Sequence, residues 1–114
     1  MTLRAPIKGN VVMLDFNPQA GHEQAGRRPG LIISPKKFNE LTGFALVCPI
    51  TNQKKGYPFE VDVEGTKKTT GVILADQIKS LDWKKRNAKV VDSVSLDCLN
   101  KTKELIQVII EADD

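Results

Sequence analysis

Short apolar runs rich in Val, Ile and Leu, separated by polar turns, make up most of the chain before its last twenty or so positions. Runs of this length and β-branched content, bounded by Gly, Pro, Asn or Asp, predict strands. Between positions 59 and 65 apolar and charged residues alternate, which is typical of a strand with one wet face. The predicted strands are 10–16, 31–34, 44–50, 59–65, 90–94 and, as one long or two consecutive strands, 71–83. A single helical turn is expected within 36–43.

The hydrophobic period changes after these strands. Apolar positions then recur at helical spacing, which predicts an amphipathic helix over 94–111. Either Asp92 or Ser93 is expected to cap its N-terminus. In a chain of 114 residues, five to seven strands and one terminal helix predict a single mainly β domain over 1–114, a small curled sheet or barrel with the helix packed on it. The positions expected to face the core are Cys98, Leu99, Thr102, Leu105, Ile106, Ile109 and Ile110.

Charge and cysteine content narrow the function classes. The net charge of +3 and the basic pI near 8.9 mildly favour a polyanionic partner. Cys48 and Cys98 lie far apart and are expected in the core rather than in a zinc site or a disulfide. The first residues lack an apolar leader, and no apolar run approaches the roughly 18 residues that a membrane span needs. We therefore expect a cytoplasmic protein with no membrane contact.

The segment from 17 to 30, NPQAGHEQAGRRPG, has almost nothing to anchor in a core and holds the only His of the chain. Loops longer than roughly 12 residues in compact domains are usually functional or disordered. Metal-free cleavage of RNA needs a base for the 2′-OH, positive charge on the phosphorus centre and a proton for the departing oxygen. Arg28 suits the phosphate, Glu23 or His22 suits the base, and Thr51 supplies a hydroxyl.

Each of these residues also has an ordinary structural interpretation. Glu23 and Arg28 are also able to form an exposed ion pair that holds their own loop. His22 is also explained as an incidental loop residue, and Thr51 as a hydroxyl that bonds local backbone at the end of its strand. The residues alone leave these alternatives open.

Three ungapped motifs in one order resemble the MazF/PemK family of toxin endoribonucleases. They are GHEQAGRRP at 21–29 between VMLDFNP and LIISP, CPITNQKKGYPFEV at 48–61, and GVILADQIKSLDW at 71–83. The resemblance implies an SH3-like barrel, a homodimer, and cleavage of single-stranded mRNA at short motifs without metal or other cofactor. It also implies products with 2′,3′-cyclic phosphate and 5′-OH ends, and inhibition by an acidic antitoxin of MazE type whose tail covers the RNA groove.

The same resemblance assigns roles to residues. Arg28 matches the arginine of the family's E-Q-x-G-x-R-P motif, Glu23 its glutamate and Thr51 the threonine after the C-P-x strand end. The chain departs from the family pattern at Arg27, next to the essential arginine, and at Asn52, where Ser or Thr is common. The expected RNA contacts are Phe16, Gln53, Lys55, Asp76, Gln77 and Lys79, with Tyr57 a further stacking candidate; core packing is the alternative for Phe16 and Tyr57.

Two other functions compete with ribonuclease activity. One is a toxin of related fold that poisons a protein such as DNA gyrase, and the other is a non-catalytic RNA-binding module. Neither requires Glu23, Arg28 and Thr51 together, so these three residues favour the ribonuclease.

Overall fold

The computed structural model of the protein describes residues 4–16 and 26–114. Within these two ranges the chain forms seven strands, two α-helices and one 3-10 turn at Ala75–Gln77. The strands are β1 (Asn10–Asp15), β2 (Arg27–Ile32), β3 (Phe44–Thr51), β4 (Glu60–Asp62), β5 (Val72–Leu74), β6 (Lys79–Asp82) and β7 (Lys89–Ser93). The helices are α1 (Lys36–Thr42) and α2 (Leu96–Glu111). The predicted mainly β class with a terminal helix is confirmed.

Strand β3 is the centre of one antiparallel sheet. Along one side it pairs with β2. Along the other side, its first half pairs with β6 and its last two residues, Ile50 and Thr51, pair with β5. The sheet order is β4-β5-β3-β2-β1-β7, with β6 beside the first half of β3. Because β3 changes partner along its length, the sheet curls, as the sequence predicts.

The central strands are buried on both faces. Successive side chains of a strand point to opposite sides, so neighbouring residues enter different clusters. Val11 packs in the cluster under α2, together with Cys98 and Leu99, while Val12 packs in the opposite cluster, together with Trp83. Burial on both faces is why these strands have continuous apolar runs instead of an alternating pattern.

Both cysteines are fully buried, as predicted. Burial raises the pKa of the Cys48 thiol to about 12. The thiolate is the nucleophilic form of cysteine, so Cys48 stays a protonated core side chain at neutral pH.

The terminal helix differs from its prediction at both ends. Its N-cap is Ser95, whose side chain accepts a hydrogen bond from the backbone N–H of Cys98, not Asp92 or Ser93. At the other end Ile109 and Ile110 are exposed, at 43% and 74%, so the prediction that they face the core is wrong in this chain. The buried positions are Cys98, Leu99, Thr102 and Ile106, with Leu105 partly buried against the same cluster.

The second strand begins four residues earlier than predicted. Arg27 and Arg28 pair with Asp15 and Leu14 of β1, although the sequence suggested a loop up to residue 30. Pro29 has no N–H to give to the ladder, yet it lies within the strand. The backbone of Arg28 is therefore held in a strand by its pairing with β1.

Candidate active site

Arg28 and Thr51 lie on adjacent strands. The ladder between β2 and β3 pairs Gly30 with Pro49, and Leu31 with Cys48. Continued two residues toward the end of β3, this register sets Arg28 across from Thr51. Directly opposed residues of an antiparallel pair project from the same face of the sheet. The described pairs end at Gly30 and Pro49, so the position of the half-buried Arg28 opposite Thr51 is an extrapolation of this register, and Arg28 is not among the residues that line the pocket beside Thr51.

Thr51 is held firmly at that edge. It is the last residue of β3, and its side chain is largely buried. Its hydroxyl oxygen accepts a hydrogen bond of 3.1 Å from the backbone N–H of Gln53. Gly71 has a φ of +114° and packs directly on the carbonyl of Thr51, where any larger residue would collide with that backbone. The local backbone bond that the sequence allowed for Thr51 is therefore present. Because the hydroxyl oxygen accepts this bond, the hydroxyl can still donate its proton to another partner.

A polar pocket of about 360 Å³ opens beside Thr51. Its walls come from the end of β3, the turn before β4, β4 itself and the 3-10 turn after β5. Five of the residues that the sequence predicts for the site meet in this pocket: Thr51, Gln53, Lys55, Asp76 and Gln77. Tyr57, Glu60 and Leu74 complete the lining.

Glu60 was not predicted as a site residue. Its carboxylate accepts hydrogen bonds from the backbone N–H groups of Lys55, Gly56 and Tyr57, at 3.0, 3.0 and 3.2 Å. It thereby folds the turn that carries two pocket side chains. The alternating pattern of 59–65 put Glu60 on a wet face, but only the three-dimensional turn shows what it binds.

Tyr57 and Asp76 are directly connected. The Tyr57 hydroxyl donates a hydrogen bond of 2.9 Å to Oδ2 of Asp76, and this bond raises the pKa of the phenol. Tyr57 is 45% exposed and its ring lies 5.7 Å from that of Phe59. The core alternative for Tyr57 is therefore wrong, and an aromatic face remains at the pocket.

Two of the expected RNA contacts are placed elsewhere. Phe16 is 1% exposed and packs in the cluster with Leu14 and Trp83, so its ring has no face to offer a base. The core alternative holds for this residue, because the apolar pattern of β1 continues through it. Lys79 lies on β6 opposite Val47, outside the pocket.

The two candidate bases, Glu23 and His22, lie outside the described residues. Their roles stay predictions from the sequence. The neighbouring Arg27 is described, and it forms an ion pair of 3.4 Å with Asp15 and donates a hydrogen bond of 2.9 Å to the carbonyl of Asn87. Arg27 thus ties β2 to β1 and to the turn before β7, and these contacts give it a structural role.

A second groove, of about 380 Å³, includes Pro29 of β2 and Asn52, which follows β3. Oδ1 of Asn52 accepts a hydrogen bond of 2.9 Å from the hydroxyl of Thr70. The loop at 66–70 that forms one wall is folded around Asp92, which accepts bonds from three successive backbone N–H groups and the Thr69 hydroxyl. These bonds, led by the one from Lys67, hold the pKa of Asp92 well below its usual range.

Within residues 4–16 and 26–114, no group of three or more His, Cys, Asp and Glu side chains is arranged to hold a metal ion. In the same part of the chain, no helix is long and apolar enough to cross a membrane.

A curled antiparallel sheet, a terminal helix and a polar pocket at the end of the central strand define a small, mainly β protein. Comparison with protein families then identifies it: residues 7–110 match the model of the PemK-like, MazF-like toxins of type II toxin–antitoxin systems. The chain belongs to this family.

Particular relatives agree with this assignment. The endoribonuclease toxin MazF of Escherichia coli (strain K12) is 44% identical over 105 residues, which cover 92% of this chain and 94% of that protein. The crystal structure of MazF from Deinococcus radiodurans superposes with a TM-score of 0.90 at 42% identity, covering 95% of this chain and 98% of that one. A MazE-MazF crystal structure from the same organism matches with a TM-score of 0.84 at 41% identity, covering 96% and 98%. The predicted family and barrel fold are confirmed.

Proposed function

We propose that this protein is a sequence-specific endoribonuclease toxin that cleaves single-stranded mRNA by metal-independent attack of a 2′-OH. Its membership of a toxin family whose relatives are named endoribonucleases supports the activity. The observation that supports the site is the β2–β3 register, which pairs Gly30 with Pro49 and, extended by two residues, would bring Arg28 opposite Thr51, a residue that lines the polar pocket.

In the proposed reaction the 2′-OH of one nucleotide attacks the adjacent phosphorus and expels the 5′-oxygen of the next. Arg28 supplies a positive charge and a forked donor for the phosphate oxygens of the transition state, and it then gives one proton to the leaving oxygen. Thr51 donates to a phosphate oxygen. Glu23, or alternatively His22, takes the proton of the 2′-OH. The products carry a 2′,3′-cyclic phosphate and a free 5′-OH.

The bound strand runs through the pocket. Gln53, Asp76 and Gln77 present donors and acceptors to exposed base edges, as single-stranded RNA recognition requires. Lys55 contacts the phosphate backbone in the pocket, and Lys79 contacts it outside the pocket, from β6.

The proposed partners are a second copy of the chain and an antitoxin of MazE type. A MazE-MazF complex is known for the Deinococcus radiodurans protein, whose fold this chain shares. A pocket that attracts phosphates also attracts the carboxylates of an acidic tail, so the antitoxin blocks the RNA groove reversibly. The setting is the cytoplasm, where mRNA is translated.

The deciding experiment incubates the purified protein with a long single-stranded RNA in EDTA. Wild type is expected to give fragments with cyclic phosphate ends, and Arg28→Ala to lose at least about a hundredfold in rate, since a charge aimed at the transition state is removed. Arg27→Ala is the matched control: it removes the same charge one residue earlier and is expected to keep most of the cleavage. Intact RNA with wild type, or cleavage by Arg28→Ala at the wild-type rate, contradicts the proposal.

A further inference from the structure

The connection between β6 and β7 has the highest density of positive charge in the sequence. Of its residues 84–89, called the basic turn below, four are basic: Lys84, Lys85, Arg86 and Lys89. The three lysines are exposed. Within residues 4–16 and 26–114, no carboxylate forms an ion pair with any of them, whereas Lys54 and Lys101 are both paired. Three positive charges of the basic turn are therefore available to a ligand.

Hydrogen bonds on both sides hold the basic turn in place. Trp83, which precedes it, is buried and donates from its indole N–H to the carbonyl of Asn39 at 2.9 Å. The backbone N–H of Ala88 donates to the carbonyl of Trp83 at 3.0 Å and closes the turn. Asn87 has a φ of +54°, a left-handed conformation in which Asn is enriched. A surface fixed before its ligand arrives loses little conformational entropy on binding.

The basic turn lies at the same end of β1 and β2 as the proposed reaction centre. The side-chain amide of Asn87 donates a hydrogen bond of 3.1 Å to Oδ2 of Asp15, the last residue of β1. The carbonyl of Asn87 accepts the bond from Arg27, which directly precedes Arg28 in β2. A strand of RNA that passes Arg28 therefore continues close to the basic turn on one side of the cut.

The chemistry of the basic turn suits phosphate groups and not bases. Lysine is a compact positive charge that donates hydrogen bonds and accepts none. The ring of Trp83 is only 3% exposed, so it offers no face on which a base can stack. Contacts to phosphates position a nucleic acid without reading its sequence. The ligand that fits is the backbone of the RNA outside the cleaved motif.

We propose that the basic turn is an anchoring surface for the RNA that flanks the cut motif, with Lys84, Lys85 and Lys89 binding its phosphates. The inference rests on the proposed ribonuclease function. It adds a binding surface outside the pocket and a property of the substrate: a cut site is bound more tightly within a long strand than in a short oligonucleotide.

The test measures binding of a short RNA around a mapped cut site, with a 2′-deoxy sugar at the cut to prevent cleavage. The RNA is then extended by about ten deoxythymidines on its 5′ or its 3′ side, a length that single-strand binding surfaces cover. Wild type is expected to bind one extended strand about tenfold more tightly at low salt. The slope of log Kd against log salt concentration is expected to steepen by about 2, since each of three phosphate contacts adds about 0.7. No gain from either extension overturns the proposal.

The lysines are tested by a triple variant that removes their charges and keeps side chains of similar size: Lys84→Gln, Lys85→Gln and Lys89→Gln. All three side chains are exposed, so the fold is expected to be kept, which a melting curve checks. The variant is expected to bind the short RNA nearly as wild type does, and to lose both the gain from the extension and the steeper slope. A variant that keeps the gain overturns the proposal.

A matched control removes the same total charge away from the basic turn: Lys8→Gln, Lys101→Gln and Lys103→Gln. Lys8 lies beyond the other end of β1, and the remaining two lysines are on α2. This variant is expected to keep the gain from the extension. If it loses as much as the first variant, net charge and not the basic turn is responsible, and the proposal is overturned.

The uncleavable strands also separate the two proposals. A gain that is lost in the first triple variant supports the anchoring surface even if ordinary RNA is not cleaved. Cleavage by wild type without any such gain supports the ribonuclease and overturns the anchoring surface. A peptide of glutamates tests the competing class of ligand: if the first triple variant loses binding to this peptide but binds the extended strand like wild type, the turn serves an acidic protein and the proposal is overturned.

Discussion

Two loops of this protein are folded by the same device, a carboxylate that accepts several successive backbone N–H groups. In the 53–58 turn the carboxylate is Glu60, three to five residues away along the chain. In the 66–70 loop it is Asp92 on β7, more than twenty residues away. The local bond shapes a pocket, whereas the distant bond ties a loop to the sheet. The same chemistry thus shapes the candidate site in one region and ties a loop to the sheet in the other.

The distant carboxylate is expected to have the largest effect on folding. Asp92→Ala leaves the backbone N–H groups of the 66–70 loop without their acceptor and detaches the loop from β7. We expect a fall of several degrees in melting temperature, measured by calorimetry, with cleavage per folded molecule little changed. An unchanged melting temperature would remove the distinction between the two loops.

The pH dependence of stability sharpens this prediction. Folding lowers the pKa of Asp92. The contribution of its carboxylate to the free energy of unfolding is therefore fully present above the ordinary carboxyl pKa of about 4, and it is lost as the pH falls toward the pKa of the folded state. Wild type and Asp92→Asn are therefore expected to differ most in urea midpoint near neutral pH and to converge below about 4. A difference that stays constant down to pH 3 would contradict this origin.

The local carboxylate is expected to affect cleavage more than stability. Glu60→Gln keeps one acceptor oxygen and loses the other, so part of the turn at Lys55 is released, and Glu60→Ala releases all of it. We expect several-fold lower kcat/KM for Gln and a larger loss for Ala, mostly through KM, because substrate positioning and not proton transfer is changed. Steady-state kinetics with one RNA measure this, and a large drop in melting temperature with normal kinetics would contradict it.

The smallest effect is expected at Asp62, two residues after Glu60. Asp62 pairs with Lys54 at 2.9 Å, but both side chains are more than half exposed. Exposed pairs contribute little because water screens them. Asp62→Asn is expected to change neither melting temperature nor cleavage measurably, and a clear change in either would mean that the outer face of this turn takes part in the site.

The central strands were predictable because a strand buried on both faces needs a continuous run of apolar residues. Val11 and Val12 enter different clusters, so β1 has the continuous apolar run of a strand buried on both faces. The predicted start of β2 was too late because Arg27 and Arg28 pair with β1 through their backbones. Backbone pairing does not require apolar side chains, so the sequence pattern did not reveal it. The helix cap was misplaced for a similar reason, since Asp92 is used by a loop that is distant in sequence.

Four residues of the pocket, Gln53, Lys55, Asp76 and Gln77, were found because the resemblance supplied them, while Thr51 was proposed from the residues themselves, and the fold brings all five to one pocket. What sequence reasoning missed is the connection between them. Glu60 and the Tyr57–Asp76 bond are visible only when β4 and the 3-10 turn lie side by side. Phe16 was expected among the RNA contacts because its position at a strand end does not reveal which way the ring points.

The central position of β3 has one further consequence for how this protein is silenced. Thr51 ends the strand that is hydrogen-bonded to three others, so its surroundings are expected to open only when the whole sheet opens. Amide exchange along this strand should accordingly be among the slowest in the molecule. If Thr51 acts in cleavage as proposed, its anchoring means that the threonine side of the site stays formed in the absence of RNA, so an inhibitor is expected to act by covering the site and not by loosening this strand.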